Sequence, residues 1–167
     1  MEIKTNRLII KSLNINDQKE MINLLNNKDI KKTYMIPDFN NEKEAITFFD
    51  RLLSISLDDK HYLKGIYLNE HLIGMINDVH IENKEIEIGY FIDPSCWNKG
   101  YATEALRAMI DYLFNIGFNR IVAGYFEENI ASSRVMAKSG MKPIDFTDNI
   151  LYRNKNHKCR YYEIIKD

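Results

Sequence analysis

The chain has 167 residues, 45% hydrophobic and 28% charged, with a formal net charge of −1. That length suits one domain with a substantial core, and the charge excludes a broad basic surface for nucleic acid. Two distant cysteines, Cys96 and Cys159, exclude a disulfide framework and offer no metal-ligand spacing; the N-terminus MEIKTNRLII lacks a signal-peptide pattern, and no apolar run would span a bilayer, so no membrane partner and a cytoplasmic location are expected.

Residues 7–13, RLIIKSL, read as a first strand. NDQKEMINLLNN carries Met21, Leu24 and Leu25 at helical spacing after an Asn/Asp-rich start, which predicts a helix. KKTYMIPDFNN contains Pro37 and ends in turn residues, so it reads as a loop, and EKEAITFFDRLLSIS as a second amphipathic helix. The period then changes. HYLKGIYLN, HLIGMINDVHI and KEIEIGYFID read as three consecutive strands, with turns at Asn69-Glu70 and Glu82-Asn83, giving an antiparallel meander. From Lys99 to Ile116, a helical stripe of Ala102, Leu106, Met109, Ile110 and Leu113 returns, closed by Gly117. RIVAGYF is a fifth strand. NIASSRVMAKSG is a helix opened by Asn129 and closed by Gly140. MKPIDFT and CRYYEIIK read as two strands joined by a polar loop. The order predicts one α/β domain over 1–167, with a mixed, mostly antiparallel sheet of about seven strands and helices on both faces. The fourth and fifth strands, joined by a helical crossover, should be parallel neighbours.

The stretch DPSCWNKGYATEAL leaves the fourth strand and enters a helix. A helix N-terminus carries unpaired N–H groups and a partial positive charge, both of which favour phosphate. The amides of Asn98 to Thr103 are placed for such a ligand. Gly100 lets the backbone approach it closely, and Lys99 adds a charge. On spacing alone, a strand-to-helix loop that binds nothing is the simpler reading. Neither GxGxxG nor GxxxxGK[ST] occurs, which disfavours nucleotide sites of those kinds.

WNKGYA, Trp97 to Ala102, resembles the Q/R-x-x-G-x-G/A motif of the GCN5-related N-acetyltransferases (GNAT), with Trp97 at the usual Gln/Arg position. TEAL follows it. TNRLIIKSL resembles the T-x-R-L start of the ribosomal-protein-alanine acetyltransferase-like (RimJ/RimL-like) branch, and NIASSRVMAKSGM its N-x-x-S-x-x-V-x-x-K-x-G-F element. The matches occur in the expected order over nearly the whole chain. The resemblance implies a GNAT fold splayed between the fourth and fifth strands, with acetyl-CoA as co-substrate and no metal. It assigns the pyrophosphate to the loop residues Asn98, Lys99, Gly100, Tyr101, Ala102 and Thr103, with Trp97 packing the loop or flanking the cofactor. The backbone of Tyr90, Phe91 and Ile92 would hold the pantetheine arm, and Asn129 would face it.

Acetyl transfer to an amine needs a neutral nitrogen, whereas a lysine-like amine with a pKa of roughly 10.4 is mostly protonated at neutral pH. A base or a desolvating pocket is required. Glu85 and Glu87 alternate with Ile86 and Ile88, so the two acids share one strand face. Glu87 lies nearer the expected thioester and is the candidate base. His80 is another possible base. Ordinary exposed carboxylates are the alternative for both acids, and a turn-proximal histidine is the simpler reading of His80. Asn129 reads as an N-cap bonding the amide of Ala131 or Ser132. Ser132 is the candidate proton donor to the thiolate, because the family's later helix tyrosine is matched here by Met136. Tyr161 and Tyr162 are secondary candidates. Only Lys99 lies near Cys96 as a basic neighbour, so direct transfer in a ternary complex is expected rather than an acetyl-cysteine route.

The acceptor pocket is expected from the loop carrying Tyr34, Met35, Asp38 and Phe39, from the late loop DNILYRNKNHK, and from Glu85. Aromatic walls with carboxylates suit a cationic amine; the alternative is that these side chains only pack their loops. The resemblance points to a protein N-terminal amine as acceptor, with small-molecule amines or a catalytically silent acyl-CoA-binding module as the other readings. A monomer or a homodimer is expected.

Overall fold

The computed structural model describes residues 1–166, which fall into two compact units, 1–77 with 90–101 and 78–89 with 102–166. In the first unit, β1 (Glu2–Lys4), β2 (Leu8–Lys11), β3 (Lys64–Leu68) and the start of β4 (His71–Glu82) run antiparallel. β1 was not expected, because three residues with two charges carry no strand pattern; pairing with β2 creates it. Thr5 makes the turn between them: its Oγ1 accepts from the Leu8 amide at 2.9 Å and donates to the Leu8 carbonyl at 3.2 Å.

The first predicted helix begins as a 3-10 turn at Ile15–Asp17, closed by a reciprocal cap between Asn14 and Asp17, and continues as α1 (Gln18–Leu25). Asn27 caps a short α2 (Lys28–Lys31), which precedes the expected loop and takes its first residue, Lys31. Asn41 caps α3 (Glu42–Leu57). Met21, Leu24 and Leu25 of α1 and Phe49 and Leu52 of α3 are buried with Tyr67, Leu72, Met75 and Phe91. Buried Lys64 donates to the Ser56 carbonyl near the C-terminus of α3, where a cation complements the helix dipole.

β5 (Glu85–Ile92) starts in the second unit, its residues 90–92 belonging to the first, and begins parallel to β6 (Arg120–Phe126), with the register Glu85↔Arg120, Ile86↔Ile121 and Glu87↔Val122. Both strands continue beyond Glu87 and Val122, but their ladder does not, while β6 stays paired with β8 (Lys155–Ile165) as far as Phe126. α4 (Tyr101–Asn115) buries Ala105, Leu106, Met109, Ile110 and Leu113, and Gly117 follows it at φ 110°. α5 (Ile130–Lys138) is capped by Asn129 and followed by Gly140 at φ 88°.

Among the described residues the hydrogen-bonded strand order is β1-β2-β3-β4-β5-β6-β8-β7, eight strands where about seven were expected. Two local expectations need correction. The turn between β4 and β5 falls at Asn83-Lys84, one residue later than expected. The predicted polar loop of residues 148–158 is instead a hairpin: β7 (Lys142–Tyr152) pairs with β8 through Tyr152↔Lys155 around Arg153-Asn154, whose φ values are 51° and 59°. Two consecutive positive φ values are what a tight two-residue hairpin requires. Buried His157, Cys159 and Tyr161 alternate with exposed Lys158 and Arg160, a strand period hidden by the Asn, Asp and Lys content. The hairpin is irregular between Pro143 and Thr147, where four residues of β7 advance against two of β8.

Candidate active site

After β5 the chain makes a capped 3-10 turn at Pro94–Cys96 and then reverses through Trp97–Gly100 into α4. Asn98 at φ 59° and Gly100 at φ 82° are both left-handed. Three side chains hold this reversal. The Trp97 indole donates to the Ile92 carbonyl at 2.7 Å, the Lys99 ammonium to the Ser95 carbonyl at 2.9 Å, and Arg7 Nη1 to the Lys99 carbonyl at 2.9 Å. The carbonyls of Ile92, Ser95 and Lys99 are thus engaged. Among the described residues, no protein group accepts from the N–H of Asn98, Lys99 or Gly100. Gly100 stands where a helix would have its cap and has no side chain to offer the first turn of α4. A substituent there would meet Arg7 Nη2 at 3.3 Å. Backbone donors lying free at the dipole-positive end of a helix make a seat for an anion.

The Phe91 and Ile92 side chains are buried in the core, so what they can present to a ligand is main chain. Gly74 admits β5 closely: a Cβ there would lie 2.3 Å from the Phe91 carbonyl. Tyr90, Tyr101, Ala102 and Thr103 are half-buried.

The two acids expected on β5 differ. Glu85 pairs with Arg120 at 2.6 Å, and Arg120 also holds Glu163 at 2.7 Å. Glu87 is half-buried and, among the described residues, has no Lys or Arg partner. Burial raises its pKa above the usual carboxylate range; Asp148 adds to the rise and His80 opposes it. Its sheet face also carries Tyr161, whose ring lies over Gly124 and whose hydroxyl is pushed up to about 12 by burial and by the charge of Glu87. Cys159, buried on the same face, is pushed up to about 11 and stays a thiol. Cys96 is likewise free. Tyr162 instead faces Tyr125, with ring centroids 5.9 Å apart.

Asn129 Oδ1 accepts from the Ser132 amide at 3.3 Å, which makes Asn129 the N-cap of α5. Ser132 is half-buried on the first turn. Met136 is buried in the core, where it packs and supplies no proton. His157, stacked on Phe126 at 4.3 Å, bonds Glu128 at 2.6 Å and steadies the approach to this helix.

On the expected acceptor side, the Tyr34 hydroxyl donates to Asn77 Oδ1, and its ring stands edge-on to Phe91 at 4.9 Å. Phe39 packs against Phe48 at 5.4 Å and lies beneath the Lys31 ammonium, which pairs with exposed Asp38 at 2.9 Å. Met35 is exposed. Among the described residues, no group of three or more His, Cys, Asp or Glu could hold a metal, and no helix is long and apolar enough to cross a membrane. Sequence reasoning missed the contact of Arg7 with the anion turn. The only sign of it was the T-x-R-L start, which carries no mark of a partner 92 residues away.

The model of the acetyltransferase (GNAT) domain family matches residues 7–142, a span that runs through both units. The uncharacterized N-acetyltransferase YoaA of Bacillus subtilis (strain 168) is 25% identical over 170 aligned residues, covering 98% of this chain and 96% of YoaA. A GNAT-family acetyltransferase from Bacillus anthracis has a solved structure that superposes with a TM-score of 0.85 at 27% identity, covering 99% of this chain and 98% of that one. RimL, a ribosomal L7/L12 alpha-N-protein acetyltransferase solved with coenzyme A, shares the fold with a TM-score of 0.82 at 16% identity, covering 99% and 98% of the two chains. The chain therefore belongs to the GNAT acetyltransferase family and is an acetyl-CoA-dependent N-acetyltransferase.

Proposed function

We propose that this enzyme acetylates a protein N-terminal amine by direct transfer in a ternary complex. The reading is supported above all by one observation: in the turn Trp97–Gly100 three side chains engage carbonyls while the N–H groups of residues 98–100 stay available. That arrangement suits the pyrophosphate of acetyl-CoA, and the glycine leaves room for it. Acetyl-CoA supplies an acyl group activated as a thioester. The remaining chemistry falls to this chain. Main chain of Tyr90–Ile92 holds the pantetheine arm, and Asn129 adds a polar contact. Glu87, made more basic by burial, removes the amine proton directly or through a water as the N–C bond forms and the C–S bond breaks. Ser132 passes its hydroxyl proton to the departing thiolate as it takes one from water, and Glu87 gives the amine proton up to solvent, so both groups are reset. Glu85, committed to Arg120, contributes charge at the acceptor side rather than a base. Likeness of fold to RimL and the shared motifs support a peptide N-terminus as acceptor.

The test is thiol release with acetyl-CoA and two acceptor panels, peptides with free N-termini and small amines, followed by mass spectrometry of the products. Peptide products modified at the N-terminal nitrogen are expected. Turnover confined to small amines would reassign the acceptor. Tight binding with no turnover on either panel would leave a silent acyl-CoA-binding module.

A further inference from the structure

Arg7 is an exposed residue on the first turn of the chain, yet it converges on the loop before α4 by two routes. Its Nη1 donates to the Lys99 carbonyl at 2.9 Å, and its guanidinium carbon lies 4.4 Å over the centre of the Tyr101 ring. Its Nη2 lies 3.3 Å from where a Gly100 side chain would begin. Arg7 therefore touches the three consecutive residues at which the reversal becomes a helix. The Thr5 turn, closed at both its amide and carbonyl contacts with Leu8, fixes where Arg7 leaves the backbone.

We infer that Arg7 is a positioning residue: it locks the left-handed reversal at Asn98–Gly100 and so presets the amides that receive acetyl-CoA. Of the two positive-φ positions, Gly100 is free of steric cost and Asn98 bears a modest one, so contacts that fix the bend favour this conformation over its alternatives. A planar guanidinium can donate in its plane and lie flat on a ring at once; an ammonium cannot do both. The role is thus one of shape, not merely of charge. The inference rests on the acetyl-CoA reading of this turn.

Trp97, the single tryptophan of the chain, sits within the reversal and reports on it. The experiment is a fluorescence titration of wild type, Arg7→Ala, Arg7→Lys and Tyr101→Leu with acetyl-CoA, at low and high salt, with steady-state kinetics beside it. Wild type should show saturable change in Trp97 emission; its absence at any concentration would remove the acetyl-CoA site itself and not the role of Arg7. Given wild-type binding, Arg7→Ala should weaken affinity about tenfold, the scale of one lost charge-assisted hydrogen bond. Arg7→Lys should weaken it nearly as much, and Tyr101→Leu in the same direction by a smaller factor. The unliganded emission of Trp97 should shift in both Arg7 variants, and KM for acetyl-CoA should rise more than kcat falls. Wild-type affinity in Arg7→Ala would overturn the inference. So would full rescue by Arg7→Lys with a loss that vanishes at high salt, since that would make Arg7 a phosphate-attracting charge. If Arg7→Ala fails to fold, Tyr101→Leu decides, with unchanged affinity and emission counting against the role.

Discussion

The turn at Trp97–Gly100 and the sheet face around Glu87 solve opposite problems. The turn is exposed and polar, and its order comes from side chains that donate to carbonyls: Trp97 to Ile92, Lys99 to Ser95, Arg7 to Lys99. Its chemistry is left to the backbone. The Glu87 face carries buried Tyr161, Cys159 and Phe126 beside the paired Glu85, Arg120 and Glu163, and its chemistry is the one carboxylate there that burial raises. Binding an anion needs fixed donors in reach of water, whereas raising a base needs water removed. One chain supplies both by putting one on a reversal and the other in a sheet.

The contrast can be broken at either end. The largest effect is expected from Gly100→Asp. It forces a side chain into φ 82°, crowds Arg7 and puts negative charge at the seat, so acetyl-CoA affinity should fall on the order of a hundredfold by calorimetry. Glu87→Gln should lower turnover on the order of a hundredfold without lowering the melting temperature. The sign follows from the raised pKa: Glu87 contributes stability below its unfolded value, and that contribution is lost as pH rises through the higher folded value. The melting advantage of Glu87→Gln should therefore grow from acidic to neutral pH. In wild type the rising limb of activity should lie above the ordinary carboxylate range, and Glu87→Gln should abolish it. Ser132→Ala should slow turnover about tenfold with less effect on acetyl-CoA affinity; the reverse pattern would make Ser132 a binding residue. Gly124→Ala should cost about 1–3 kcal/mol in denaturant unfolding, because its methyl would lie 2.7 Å from the Tyr161 ring. The smallest effect sharpens rather than breaks the comparison. Asp148→Asn removes a charge that raises Glu87, so the rising limb should move to lower pH.

The helices were legible because each carries its stripe and its punctuation in sequence: Met21, Leu24 and Leu25, or Asn129 before α5 and Gly117 after α4. The final hairpin was not, since its strand period is carried by His157, Cys159 and Tyr161 among residues typical of loops. β1 exists only through its partner. In the candidate site, the anion turn could be read from a local motif, and Asn129 from its capping chemistry. The difference between Glu85 and Glu87 could not: alternation puts both on one face, and only the fold brings Arg120 to the first and buries the second. Arg7 lay in a noticed motif without a role, because its partner is set by tertiary structure alone.

β7 closes the strand order at one end, so among the described residues no further strand pairs with the outer edge of its eleven residues. A smooth ribbon of that length would template the addition of strands from other molecules. The bulge between Pro143 and Thr147 spoils that template: proline lacks a donor, the advance of four residues against two breaks the repeat, and Asp145 sets a charge at the break. Trimming the bulge to a regular ladder would straighten the rim and invite self-association, even if the monomer became no less stable.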